Sequence, residues 1–240
     1  MGVSQLFDPF LVSCEEKGAP QAGEFFWVPA PELKFHVLEA KRSTPDAHAR
    51  LDFVLGQFDA KKHYREKDHL PVKLLGLGDN TEALLFKSKL RPCLVLGSAC
   101  VSDHATLASV SDQRMSKVLA ERCYLVAPLQ SANSPSKPSG PFPPELVARI
   151  KMLQYAHLSW VRDFKGQGAG SILRLDRIFP TTLGVGMHRC GQRLHDDVMD
   201  IVVAQASQVL GIAMSDELAS HLQATKELVA ACAPPELSAK

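Results

Sequence analysis

The stretch Lys89-Leu-Arg-Pro-Cys-Leu-Val-Leu-Gly97 decides the fold. Its centre, from Cys93 to Leu96, is a short unbroken apolar run that ends at a glycine. Such a run is typical of a strand buried on both faces. Pro92 fixes the backbone angle φ just before this strand, so the run predicts a buried strand with Arg91 held firmly at its entrance.

Further strands and helices are predicted on both sides of this stretch. Strands are predicted at Gly23–Pro29, Arg122–Leu129, His157–Val161 and Ser171–Ile178. One helix should start at Pro143-Pro144-Glu145. A second, closing helix is predicted because Leu194, Val198, Ile201, Val202 and Val209 fall on one helical face, although Gln205 interrupts that face. Several short strands closed by helices predict an α/β chain of the α+β type, a small barrel capped by a helix.

The region 32–87 has a sequence pattern that predicts a helix followed by a hairpin. Ser43-Thr44-Pro45-Asp46 resembles a helix start, and Leu51, Val54, Leu55 and Phe58 follow at helical spacing. A densely charged stretch, 59–68, comes next. Two apolar runs, Val72–Leu77 and Glu82–Phe86, then flank Gly78-Asp79-Asn80 and predict a hairpin. We therefore expect one domain over 1–240 with a mixed helix and hairpin insertion at 32–87, a loop at Ser131–Pro144 and a frayed tail at 234–240.

Composition limits the functional classes. The chain has 240 residues, 45% hydrophobic and 22% charged, with a formal net charge of +1, so any nucleic-acid surface must be local. The six cysteines form no CxxC pair, which favours free thiols in a reducing compartment. No run approaches the roughly 20 apolar residues of a membrane span. We expect a cytoplasmic protein without a membrane partner.

Five segments stand in an order that resembles the MazF/PemK (Kid/CcdB-like) family of ribonuclease toxins. Four of them are strand segments, and the fifth is the predicted closing helix at about 194–210. The strand segments are Gly23-Glu-Phe-Phe-Trp-Val-Pro29, Lys89-Leu-Arg-Pro-Cys-Leu-Val-Leu96, Tyr124-Leu-Val-Ala-Pro-Leu-Gln-Ser131 and Ser171-Ile-Leu-Arg-Leu-Asp-Arg-Ile178. The resemblance implies an SH3-like β-barrel with a C-terminal helix, a homodimer and an antitoxin partner. It also implies cleavage of single-stranded RNA without a metal or other cofactor.

The same resemblance assigns site residues. Arg91 would stabilise the charge on the phosphorane and could act as the acid, because a guanidinium meets two phosphate oxygens at once. The family's hydroxyl position falls on Gln130, with Ser131 next to it as a substitute. RNA contacts are expected from the lysines upstream of Arg91 and from the late strand: Lys87, Lys89, Asp176 and Arg177.

Two departures from the family leave the function open between classes. An amide at Gln130 cannot share a proton as a hydroxyl does, and the first two family strands are separated here by the long insertion. The first hypothesis is a metal-independent endoribonuclease, the toxin of a toxin–antitoxin or related defence system. The alternative is a catalytically degenerate barrel that binds RNA or a protein. A structural adaptor is a third possibility. His188, Cys190 and His195 fit no standard zinc spacing, so no metal site is expected.

Overall fold

Regular structure in the described part of the chain comprises nine β-strands and four α-helices. The computed structural model describes residues 2–15, 17–42, 51–57, 84–98, 123–132, 142–162, 170–183 and 187–233. The strands are β1 Leu11–Ser13, β2 Glu24–Arg42, β3 Leu51–Gln57, β4 Leu84–Ser98, β5 Tyr124–Ser131, β6 Leu158–Val161, β7 Ser171–Arg174, β8 Phe179–Thr181 and β9 His188–Leu194. The helices are α1 Val3–Leu6, α2 Pro144–Lys151, α3 Asp196–Leu210 and α4 Asp216–Ala231.

The chain divides into two compact units. Unit 1 comprises Met1–Val28 and Arg91–Lys240, and unit 2 comprises Pro29–Leu90. The bounds of unit 2 lie within three residues of the predicted insertion, 32–87, at each end. Strands β2 and β4 each have residues in both units.

Unit 2 contains an antiparallel pair of strands where the sequence predicted a helix. Residues 36–42 of β2 pair with β3, from His36 opposite Gln57 to Arg42 opposite Leu51. The helix predicted through Leu51, Val54 and Leu55 is therefore wrong. Its apolar spacing also suits a strand, and the pairing segment of β2 lies outside any local sequence window. The predicted helix start at 43–46, the charged stretch 59–68 and the hairpin turn at 78–80 lie outside the described residues.

Strand β5 is an interior strand of the sheet and pairs with other strands on both of its edges. The described strands follow the order β1-β9-β2-β4-β5-β7-β6, with β8 also paired to β5. On one side β5 pairs with β4, with Cys93 opposite Pro128. On the other side its first half pairs with β8 and its second half with β7, with Gln130 opposite Ile172. The buried segments of β4, at Cys93–Val95, and of β5 form because their apolar runs cover both faces of the sheet.

Two apolar clusters lie in unit 1, and β7 contributes to both. Leu173 belongs to one cluster and Ile172 to the other, because successive strand residues point to opposite faces. Helix α3 also supplies both clusters, with Val202 in the first and Ile201 in the second. The sheet of unit 1 is thus packed on both faces at β7.

Gln205 has a structural role in α3. It is fully buried, and its amide nitrogen donates to the carbonyl of Tyr155 at 3.0 Å and to that of Leu158 at 3.4 Å. The side chain that interrupted the apolar face in the sequence therefore satisfies backbone acceptors next to β6. The helix ends at Gly211, whose φ of 67° is left-handed, as a helix C-terminus commonly requires.

The structure confirms the α+β class and most of the predicted elements. The strand expected at 171–178 ends at Arg174, where a 3-10 turn, Leu175–Arg177, takes over. The Leu175 N–H donates to the carbonyl of His157 at 3.0 Å, which continues the β6–β7 register by one residue before the chain turns. Helix α4 was not predicted, although Ser215 caps it by accepting from the Leu218 N–H.

The described strands form an open order, with β1 and β6 at its two ends, and the sheet does not close into a barrel. Most of the loop predicted at 131–144 and the whole tail at 234–240 lie outside the described residues. In the part of the chain that the structure describes, no helix has the length and apolar character needed to cross a membrane.

Candidate functional site

A cleft in unit 1 brings three arginines together with a glutamine. Its volume is about 90 Å³. We call it the arginine cleft, and its lining consists of Arg91, Pro128, Leu129, Gln130, Arg174 and Arg177. Three of these residues, Arg91, Gln130 and Arg177, were singled out from the sequence.

The sheet explains why these side chains meet. Cys93 is opposite Pro128 in the antiparallel β4–β5 pair, so the register continued by two residues brings Arg91 opposite Gln130. On the other side of β5, Leu129 is opposite Leu173, and Arg174 is the next and last residue of β7. Three adjacent strands thus supply Arg91, Gln130 and Arg174, and the 3-10 turn after β7 supplies Arg177. Side chains carried by paired strands are placed more precisely than side chains on loops.

Arg174 is fixed by two partners. Its Nε donates to Asp176 Oδ1 at 2.7 Å, and its Nη2 donates to the other carboxylate oxygen. Its Nη1 donates to Gln130 Oε1 at 3.2 Å. Because arginine only donates, this last bond requires the Gln130 oxygen to face Arg174 and leaves the amide N–H groups available to another acceptor.

Electrostatics strengthen the Arg174–Asp176 pair. The hydrogen bonds to Asp176 raise the pKa of Arg174 despite its partial burial. Burial alone would raise the pKa of Asp176, but hydrogen bonds from Arg174 and its positive charge outweigh burial and hold that pKa below its usual range. A carboxylate of lowered pKa that already accepts two hydrogen bonds is a weak proton acceptor.

Arg91 and Arg177 differ from Arg174 in having no carboxylate partner among the described residues. Counted over the described residues, three guanidinium charges against the one carboxylate of Asp176 give the arginine cleft a net charge of +2. This local surplus matters in a chain whose formal net charge is only +1. The geometry and charge together describe an anion-binding site.

Cys93 anchors the strand beside Arg91 and is chemically inert. The residue is fully buried, and burial raises the pKa of its thiol to about 12, although the charge of Arg91 acts in the opposite direction. Its Sγ donates to the Arg91 carbonyl at 3.6 Å. Since the thiolate is the reactive form, Cys93 does not act as a nucleophile here.

The remaining predicted site residues do not belong to the lining of the cleft. Ser131 is exposed and, one residue along β5 from Gln130, points to the opposite face of the sheet. Lys87 and Lys89 are exposed residues of β4 in unit 2. Asp176 contacts the cleft through Arg174. The catalytic and RNA-binding roles assigned to all of these residues stay predictions.

Arg174 is the functional candidate that the sequence did not single out. The available signal was its position two residues before Asp176, since residues two apart on a strand share a face and opposite charges at that spacing can pair. The family resemblance assigned RNA contacts to Asp176 and Arg177 instead. The turn after β7 carries Asp176 back toward Arg174, where the two side chains pair.

A second cavity in unit 1 has a volume of about 580 Å³. It is lined by Gly18, Pro20, Phe26, Leu183, Met187, His188 and Arg189. The Arg189 guanidinium is buried, and it bonds to the carbonyls of Glu15 and Gly18, both at 3.1 Å, and to the Glu24 carboxylate at 3.2 Å. Arg189 therefore ties the Glu15 and Gly18 backbone to β2 and β9, which is a structural role.

Among the residues that the structure describes, no group of three or more His, Cys, Asp or Glu side chains could hold a metal ion. Comparisons with protein-family models, with curated proteins and with solved structures find no match to this chain. The functional argument therefore rests on the chemistry of the arginine cleft.

Proposed function

We propose that this chain is an RNA-binding protein of the MazF/PemK type and that the arginine cleft holds a phosphate group of single-stranded RNA. One observation carries the proposal: Arg91, Arg177 and the Gln130 amide converge on one small cleft beside the fixed Arg174. Guanidinium groups bind phosphate through paired, charge-assisted hydrogen bonds, and a phosphate contact supplies most of the affinity for nucleic acid.

The proposed family membership also has consequences for the fold, the partners and the cellular location. The open sheet of unit 1 is then a divergent form of the family's SH3-like β-barrel, and α3 corresponds to the closing helix. A homodimer, an antitoxin partner and a cytoplasmic location belong to the same proposal. Unit 2 corresponds to the insertion after the first strand.

The chemistry of the cleft favours binding over cleavage. Metal-free cleavage needs a group that takes a proton from the 2′-hydroxyl. Among the described residues, the polar lining comprises three arginines, which cannot accept a proton, and Gln130, whose amide oxygen is engaged by Arg174. Asp176 is engaged by the same arginine. The degenerate-barrel hypothesis, as an RNA-binding module, is therefore the better supported one.

Cleavage remains the second candidate because of the charge at Arg91. A phosphorane carries more negative charge than the diester from which it forms, so a cleft of charge +2 would stabilise it more than the substrate. In this version the chain is a metal-independent endoribonuclease toxin, and Arg91 stabilises the phosphorane.

The test follows binding and cleavage of the same RNA. Purified protein is incubated in EDTA with single-stranded RNA that carries a fluorescent label, and anisotropy reports binding while a denaturing gel reports cleavage. We expect that the native chain binds the RNA and leaves it uncut. Gln130→Thr restores the family hydroxyl, and a gain of cleavage in that variant would show a site that otherwise lacks only a proton-transfer group. Folded protein that neither binds nor cuts RNA would refute the proposal.

A further inference from the structure

The charge of the arginine cleft exceeds that of an internal RNA phosphate. Arg91, Arg174 and Arg177 supply three positive charges, and Asp176 neutralises one of them. A phosphodiester within an RNA chain carries a single negative charge. A terminal phosphomonoester carries about −1.5 to −2 at neutral pH, so it matches the surplus of the cleft more closely.

The size of the cleft requires that this charge belong to one group. A volume of about 90 Å³ admits a few water molecules or one phosphoryl group, and it is well below the roughly 300 Å³ at which pockets for whole small molecules begin. Two successive diesters therefore cannot supply the two charges inside the cleft.

The donors that remain available also match a terminal phosphate. Arg174 already donates three hydrogen bonds to Asp176 and Gln130, so the guanidinium groups of Arg91 and Arg177 and the amide nitrogen of Gln130 are the main donor groups left for a ligand. Because each guanidinium can donate to two oxygens at once, these groups can serve more than two acceptors, and a phosphomonoester presents three terminal oxygens as strong acceptors. An internal diester presents only two, because its other two oxygens are bonded to the sugars.

We propose that the arginine cleft selects the terminal phosphomonoester of an RNA strand over its internal phosphodiesters. This inference rests on the proposed RNA-binding function and specifies which phosphate the site holds. Arg91 and Arg177 then bind the phosphate oxygens directly, while Asp176 and Gln130 keep Arg174 in place.

The pH dependence of this selection follows from the ligand. The arginines stay charged at all relevant pH values, and the lowered pKa of Asp176 keeps that carboxylate ionised. The phosphomonoester loses its second negative charge as the pH falls through about 6. His157 is the other titratable group whose charge acts on Asp176, and because it is the same for every RNA, the ratio of the affinities for two RNAs is the informative quantity.

The experiment measures the affinity of the full chain for three RNAs of the same sequence. One carries a 5′-phosphate, one carries a 3′-phosphate and one has hydroxyls at both ends. One phosphorylated RNA should bind about fivefold tighter or more, the effect of one extra charge about 4 Å from a guanidinium in water. The preference should shrink when the pH falls from about 7.5 to about 5. Arg177→Gln should remove it, while Arg149→Gln, which changes an arginine of α2 outside the cleft, should keep it.

The outcomes separate this inference from the function on which it rests. Tighter binding of either phosphorylated RNA supports it and identifies the end. Equal affinity for all three RNAs overturns the selection and leaves RNA binding in place. Binding of none of them overturns both. If inorganic phosphate at the concentration of the RNA displaces it fully, the site takes free phosphate and the assignment to an RNA end is overturned.

Discussion

Replacement of Arg91 by alanine should weaken RNA binding far more than it weakens the fold. Arg91 is half-buried and has no ion-pair partner among the described residues, so the free energy of unfolding should change by about 1 kcal/mol or less. A charge-assisted hydrogen bond to phosphate contributes about 1.5–3 kcal/mol. Because 1.4 kcal/mol is tenfold in affinity, the Kd should rise about 10- to 100-fold.

The salt dependence of RNA binding gives a second, independent measure of the Arg91 contact. Each phosphate contact on a single strand contributes about 0.7 to the slope of log K against log salt, so Arg91→Ala should flatten that slope by about 0.7. The assay is fluorescence anisotropy with a labelled RNA between about 50 and 200 mM salt. Arg149→Ala is the control, since Arg149 forms an exposed pair with Glu145 on α2. If Arg91→Ala has the affinity and slope of the native chain, the assignment of Arg91 to a phosphate contact is wrong.

Three further predictions concern stability and reactivity. Gly170→Ala should lower the midpoint of urea unfolding, because a Cβ there would lie 1.9 Å from the buried Trp160 ring. Such overpacking costs about 1–3 kcal/mol of unfolding free energy. Gly97→Ala is the control and should leave the midpoint unchanged, since no atom lies within 4 Å of the added Cβ. Asp176→Asn should lower the free energy of unfolding at neutral pH, and the loss should vanish in acid. The pKa of Asp176 is lowered by folding, so its contribution is present above the unfolded pKa of about 3.9 and disappears as the pH falls through the folded value; urea titrations across acid pH check this. With a thiol pKa of about 12, Cys93 should resist alkylation at about pH 8 until the chain unfolds, as mass spectrometry would reveal.

Local patterns were enough to predict the strands beside the site. The apolar run from Cys93 to Leu96 forms a buried strand because burial on both faces needs no other signal than an unbroken apolar sequence. Arg91 and Gln130 were paired in the resemblance, and the register of β4 with β5 brings them together. This part of the candidate site was therefore accessible from sequence.

Features that depend on distant pairing were not accessible. Leu51–Gln57 has a spacing that suits a helix, and only its pairing with residues 36–42 shows that it is a strand. The arrangement around Arg174 depends on the turn that follows β7, which ends the predicted strand early and brings Asp176 within hydrogen-bond distance of Arg174. Gln205 interrupted an apolar face for a reason that only the carbonyls of Tyr155 and Leu158 supply.

The central claim is that the arginine cleft binds phosphate, and nuclear magnetic resonance of the arginine side chains tests it most directly. The Nε–H signals of the full chain would be followed while a 5′- or 3′-phosphorylated single-stranded RNA is added. We predict that the signals of Arg91 and Arg177 shift together and saturate, while that of Arg149 does not move. Saturable binding that shifts other arginines and leaves Arg91 and Arg177 unchanged would contradict the account.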